Sequence, residues 1–130
     1  MQNRNSLSGK RVVVIDDDPT VKTAVETALS DAGAIIVLSF DRKVDVAVLD
    51  VWIGKGVTSL PIAMALEVRG VPFLFYTAYR DDVAAPILRR WPNCKILPKP
   101  LPSDELIAAV ETLLGQLPPK IEQSQKTRRR

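Results

Sequence analysis

The sequence contains no histidine in 130 residues and a single cysteine, Cys94. Without histidine, Ser-His-Asp and Cys-His catalysis are excluded, as is His-ligated zinc. With one cysteine there is no disulfide framework and no cysteine-based metal centre. Any histidine in the chemistry has to come from a partner. No apolar run approaches the roughly 20 residues that span a bilayer. Residues 1–10 lack the apolar core of a signal peptide. A cytoplasmic protein is the simple expectation. There are no internal repeats.

The length fits one domain with a real core. Hydrophobic residues make up 46% of the chain, which excludes a disordered class. The net charge of +3 belongs to the two ends. Of the 18 basic residues, seven lie in 1–10 and 118–130, which leaves 11 against 14 acidic residues, a net of −3 over 11–117. The expected organisation is a flexible N-terminal arm over 1–10, a domain over 11–117, and a basic, disordered tail over 118–130. A basic tail can bind acidic surfaces or nucleic acid, but it is more often a solvated end.

The chain is organised around RVVVIDDDPT, residues 11–20. Val12 to Ile15 form a wholly apolar run, which reads as a strand buried on both faces of a parallel sheet. Asp16, Asp17 and Asp18 follow at its carboxyl end, where open α/β sheets place their ligands. Packed carboxylates repel one another unless a cation neutralises them, and hard divalent cations prefer carboxylate oxygens. Asp18 can cap a helix that begins at Pro19. That helix carries Val21, Ala24, Val25, Ala28 and Leu29 on one face and ends at Gly33.

Further strands are predicted over Ala34 to Leu38, Val46 to Val51, Val71 to Tyr76 and Lys95 to Leu97. A helix beginning at Thr58 or Ser59 runs to Gly70. Another begins at Asp81 or Asp82 and is expected to be irregular, because Pro86 lies inside it. The last, capped by Ser103, presents Leu106, Ala109, Val110, Leu113, Leu114 and Leu117. This alternation predicts a doubly wound α/β fold, a flavodoxin-like parallel sheet of five strands in the order 2-1-3-4-5. In that order Asp16 and Asp17 meet Asp50 at the switch point. Thr77 and Lys99 follow the fourth and fifth strands. Three carboxylates suit Mg²⁺, while a hydroxyl and an ammonium suit an incoming anion. Together they describe phosphoryl transfer to a carboxylate nucleophile.

On these residues the chain resembles a response-regulator receiver domain (CheY-like) over 11–117. The matching motifs are the acids of VVVIDDDP, the acceptor of VAVLDV, the Thr-Ala of FYTAY and the Lys-Pro of ILPKP. The resemblance implies that Asp50 is the phosphoacceptor. It implies that Asp17 ligates Mg²⁺ directly, that Asp16 helps through water, and that the backbone carbonyl of Trp52 is a further ligand. Thr77 and Lys99 would contact the phosphoryl group, and the Lys99–Pro100 bond would be cis. The donor would be a phosphohistidine of a sensor histidine kinase or phosphotransfer protein. VPFLFYTAY is similar to the PFxFATGY segment of a group of stand-alone alphaproteobacterial receivers, with Tyr76 and Ala78 departing from it. No DNA-binding output domain follows, so the expected output is protein contact or phosphorelay.

Three departures carry expectations. Ile96 stands where receivers usually have a switching aromatic, and Tyr79 is the suggested substitute. Trp52 and Tyr79 are bulky at positions flanking the site, which predicts slow autodephosphorylation. Ser39 to Asp45 supply only seven residues between strands two and three. Extended, they reach about 24 Å, enough to cross a strand without a helix. A second helix is therefore expected to be absent or one turn long, leaving an apolar sheet face open for a downstream partner or a homodimer. Two other readings compete. Asp16-x-Asp18-x-Thr20 also fits a haloacid-dehalogenase-like phosphatase with Asp16 as nucleophile. A receiver-like interaction module that is not phosphorylated is the other.

Overall fold

Every residue from Val12 to Val14 is buried, because helices cover both faces of the sheet to which they belong. The computed structural model describes residues 5–39, 43–78 and 80–115. The elements run β1 (Arg11–Ile15), α1 (Pro19–Asp31), β2 (Ile35–Val37), β3 (Val46–Leu49), α2 (Leu60–Val68), β4 (Phe73–Thr77), α3 (Arg80–Arg90), β5 (Ile96–Pro98) and α4 (Ser103–Gly115). The five strands are parallel in the order β2-β1-β3-β4-β5, as the alternation of elements predicts.

The sheet splits the core in two. On one face Val12, Val14, Val46, Val48, Leu74 and Tyr76 pack with α1 and α4. On the other, Val13, Ala47, Leu49 and Phe75 pack with α2 and α3. α1 starts as expected: the Asp18 carboxylate accepts from the Thr20 and Val21 N–H groups, with Pro19 in the first turn. α4 does not use Ser103 as its cap. The Pro102 carbonyl accepts the first helical bonds, from Glu105 and Leu106, so Ser103 is the first helical residue. α3 runs unbroken through Pro86. Pro86 and Asp82, whose carbonyl loses its helical donor, both face water, which removes most of the cost.

Residues 5–10 are not a loose arm. Leu7 is fully buried, and its N–H donates to the Ala32 carbonyl at 2.9 Å. The segment seals the end of α1, and Gly33 makes room for it. A Cβ on Gly33 would lie 3.0 Å from the Ser8 Cα, and its φ of +100° strains any other residue. Residues 1–4 and 118–130, with the tail expectations, lie outside the described residues, as do Tyr79 and Leu117.

Between β2 and β3 no helix occurs among the described residues, as the seven-residue spacing requires. The sheet face beneath is covered only in part: Val13 and Val37 are buried, while Ile35, on the same face, is 45% exposed. Val44, near the end of the crossover, is itself buried and packs with Val13 and Val37. The crossover then pins its end to β1. Asp45 Oδ2 accepts the Arg11 N–H at 2.8 Å, and the Asp45 N–H donates to the Arg11 carbonyl. Exposed apolar surface lies also on α2, where Pro61, Met64, Ala65 and Val68 face outward at i, i+3, i+4 and i+7.

Candidate functional site

The carboxyl ends of β1 and β3 lie side by side, because the Asp50 N–H continues their ladder to the Ile15 carbonyl at 2.8 Å. The acids that follow the two strands therefore converge. Carboxylate oxygens of Asp16, Asp17 and Asp50 lie within 4.8 Å of one another. Asp16 and Asp50 are largely buried and Asp17 is exposed. The loop after β3 reaches over this cluster. A Cβ on Gly54 would lie 3.5 Å from Asp17 Oδ2, in ordinary contact, and the φ of Gly54 is +115°.

Lys99 closes the site from the end of β5. Its Nζ donates to Asp16 Oδ2 at 2.6 Å and to Asp50 Oδ2 at 3.1 Å. The remaining oxygens are also held. Asp16 Oδ1 accepts the Asp18 N–H, and Asp50 Oδ1 accepts the Val51 N–H. Thr77, fully buried, hydrogen-bonds the Asp50 carboxylate through its side chain. All the expected side chains, Asp16, Asp17, Asp50, Thr77 and Lys99, thus meet in one crevice. Asp18 does not join them. Its carboxylate is committed to the start of α1, which leaves it no acid-base role beside Asp16.

Burial pushes the Asp50 carboxyl above its usual range, and the Asp16 charge adds to this, while Lys99 and Thr77 oppose it. Burial alone would lower Lys99, but its hydrogen bonds to Asp16 and Asp50 win and hold it above the ordinary lysine value. The ammonium is therefore a permanent cation against the two buried carboxylates.

The donor set fits a hard divalent cation: three carboxylates, two of them buried and facing one ammonium. The Trp52 carbonyl is compatible with joining it. Trp52 pairs with Thr58 in a small antiparallel bridge whose bonds run from Ile53 N–H to the Val57 carbonyl and from Ser59 N–H to the Val51 carbonyl. That bridge leaves the Trp52 carbonyl unused.

Two further features frame the site. The Lys99–Pro100 bond is cis. Tyr76, directly before Thr77, is buried, with its hydroxyl accepting the Leu101 N–H at 3.0 Å and its ring 5.7 Å from Lys99 Nζ. Tyr76 is the neighbour that sequence reasoning missed. A large aromatic at a strand end full of small functional groups was the available signal. A cavity of about 450 Å³ lies at the opposite, amino end of the strands, lined by Phe73, Trp91 and Leu113 among others. It holds no carboxylate cluster, and its Glu67 is paired with Arg90, so chemistry rather than volume locates the site.

No family model and no curated protein matches this chain. Its fold does match solved structures of response-regulator receivers. A receiver protein from Burkholderia phymatum is 24% identical with a TM-score of 0.70, over 82% of this chain and 95% of that one. One from Sinorhizobium medicae is 24% identical with a TM-score of 0.69, over 84% and 97%. The Thermotoga maritima response regulator TrrA, solved with Mg²⁺ and BeF, is 23% identical with a TM-score of 0.67, over 80% and 98%. The fold is the CheY-like one.

Proposed function

We propose that this chain is a response-regulator receiver that takes a phosphoryl group on Asp50 from a sensor histidine kinase or phosphotransfer protein. One observation carries the reading. Three carboxylates, a buried threonine hydroxyl and a doubly bonded lysine converge from four strand ends on Asp50. In the transfer, the donor's N–P bond breaks as a bond forms from an Asp50 carboxylate oxygen to phosphorus, and the donor imidazole leaves as the neutral ring, keeping the proton on its other nitrogen. A partner has to bring that imidazole, since the chain has no histidine. Lys99 and Thr77 supply donors to the phosphoryl oxygens. Asp16, Asp17 and Asp50, with the Trp52 carbonyl, would hold Mg²⁺, whose charge offsets repulsion between carboxylates and phosphoryl group.

Membership of the PFxFATGY group of stand-alone receivers belongs to this reading, with Tyr76 and Ala78 as the chain's own variations. So does a cytoplasmic location. No helix of the described residues is long and apolar enough to cross a membrane. The output is protein contact or phosphorelay rather than catalysis for its own sake, and the acyl phosphate on Asp50 is long-lived. Trp52 stands half-exposed beside the site, where it shields the phosphoryl group from water. Trp52→Asn is expected to shorten the half-life of phospho-Asp50 severalfold. An unchanged half-life removes that role.

Protein contact is assigned to the outer stripe of α2. It carries no charge along Pro61, Met64, Ala65 and Val68, so two copies can meet there about a two-fold axis without repulsion. A homodimer through α2 is the form to test first, and one through the partly open sheet face beside Ile35 is the second.

The test of the central reading is beryllofluoride with Mg²⁺, followed by tryptophan fluorescence. A saturable, Mg²⁺-dependent change in the native chain, absent in Asp50→Asn, supports it. No response from a folded native chain overturns it and leaves the interaction-module reading.

A further inference from the structure

The geometry points to Tyr76 as the residue that links the Asp50 site to α4, in place of an aromatic on β5. The inference rests on the phosphoacceptor reading. Between β5 and α4 the backbone has only two N–H donors, since Pro100 and Pro102 have none. The Lys99 N–H donates to the Thr77 carbonyl at 3.0 Å. The Leu101 N–H donates to the Tyr76 hydroxyl at 3.0 Å. The strap over 99–101 therefore hangs from the last two residues of β4, and it leads through Pro102 directly into the first turn of α4.

Tyr76 holds this strap at two points. Its hydroxyl takes the Leu101 amide. Its ring lies 5.7 Å from the Lys99 ammonium, within the range of a cation–π attraction. Lys99 is also the group that bridges Asp16 and Asp50. When Asp50 carries a phosphoryl group, the ammonium turns to the new oxygens and its position over the ring changes. Tyr76 cannot swing out to follow it. The residue is buried among Leu74, Leu106 and Val110, with almost no surface exposed. The adjustment falls on the Leu101 bond, and with it on the start of α4. Leu101 itself packs against the same core.

The alternative route is closed chemically. Ile96 on β5 is buried on the other face of the sheet, among Phe75, Val83 and Ile87. Its side chain has no polar atom to exchange with the site. The polar path runs through the α1–α4 face, and Tyr76 is its positioning residue.

The two contacts of Tyr76 can be separated. Tyr76→Phe keeps the ring over Lys99 and the core packing but deletes the acceptor for Leu101. Tyr76→Leu deletes both. The experiment compares amide hydrogen exchange with and without beryllofluoride and Mg²⁺ in the native full-length chain and these variants. Tryptophan fluorescence reports binding, and circular dichroism checks the fold. In the native chain, loading is expected to change exchange over Ser103–Val110 by roughly fivefold, about what one buried hydrogen bond is worth. In Tyr76→Phe, beryllofluoride binding stays within about twofold of native, and the change over Ser103–Val110 is lost. In Tyr76→Leu both binding and response fall. A merely structural role would weaken α4 in both states alike and would not remove the difference between them.

A native-sized response of α4 in Tyr76→Phe overturns the inference, as does a native chain that binds beryllofluoride while only α3 responds. A native chain that fails to bind overturns the phosphoacceptor reading and takes the inference with it.

Discussion

The two faces of the sheet are covered in different ways. On the α1–α4 face, the N-terminal segment seals the core with Leu7, and a tyrosine hydroxyl ties the site to the start of a helix. On the α2–α3 face, the core is apolar and the Glu67–Arg90 pair lies at its edge, Val44 of the crossover stands near where a helix is missing, and the outer side of α2 is itself apolar. One face is joined to the charged end of the strands by polar bonds, and the other offers surface. The division of labour we propose is response through α4 and docking through α2.

Lys99 is the piece both halves depend on, and its loss has the largest expected effect. In Lys99→Met, Asp16 and Asp50 remain buried without a cation, at a cost of about 3 kcal/mol in chemical denaturation. Mg²⁺ is expected to recover more stability in this variant than in the native chain. The folded pKa of Lys99 lies above the usual 10.5, so its contribution is complete below that pH and is lost only as pH rises through the folded value. A variant as stable as native at neutral pH without Mg²⁺ would show that the lysine does not balance the acids.

Two truncations compare the seals directly. Leu7→Ala removes a fully buried side chain and is expected to cost about 2–3 kcal/mol. Val44→Ala, on the other face, removes less and is expected to cost about 1–2 kcal/mol. It also bares Val13 and Val37, so self-association should increase. Equal costs, or no change in association after Val44→Ala, would break the contrast between the faces.

These two residues mark where sequence reasoning stops. The acids after the first and third strands, Thr77 and Lys99 were legible because their convergence depends on strand order, and strand order follows from alternation of elements. Leu7 was not legible, since one leucine in NRNSLSGK has no periodic partners. Val44 stands in RKVDV, where alternation reads as an ordinary strand entry. The inward face of α2 was hidden for the opposite reason. LPIAMALEV is apolar except for Glu67, so its apolar residues give no sign that Ala63 and Leu66 turn in while Ala65 and Val68 turn out. The Tyr76–Leu101 bond joins residues 25 apart across a turn, a distance no local pattern spans.

A smaller effect is expected from Asp50 itself. Its folded pKa is raised above 3.8, chiefly by burial, so its contribution to stability is complete below that pH and is lost as pH climbs through the folded value. At neutral pH without Mg²⁺, Asp50→Asn should melt a few degrees higher than native, and the gap should close in acid. A melting point that falls at neutral pH would mean that the Lys99 and Thr77 bonds outweigh burial, reversing the direction assigned to Asp50.

The smallest effect on stability and the most selective effect on assembly belong to one variant. Met64 and Val68 are exposed at 48% and 87%, so Met64→Gln with Val68→Gln removes little that the folded monomer buries. Its stability should stay within about 0.5 kcal/mol of native. Light scattering at high concentration should show the native chain as a dimer and the variant as a monomer. Beryllofluoride should still change the exchange of α4 in the variant, because the path from Lys99 through Tyr76 never touches α2. A native monomer under these conditions removes the homodimer. A variant that is monomeric and has also lost the α4 response would mean that assembly and switching share one surface, and the two faces would then have to be treated as a single device.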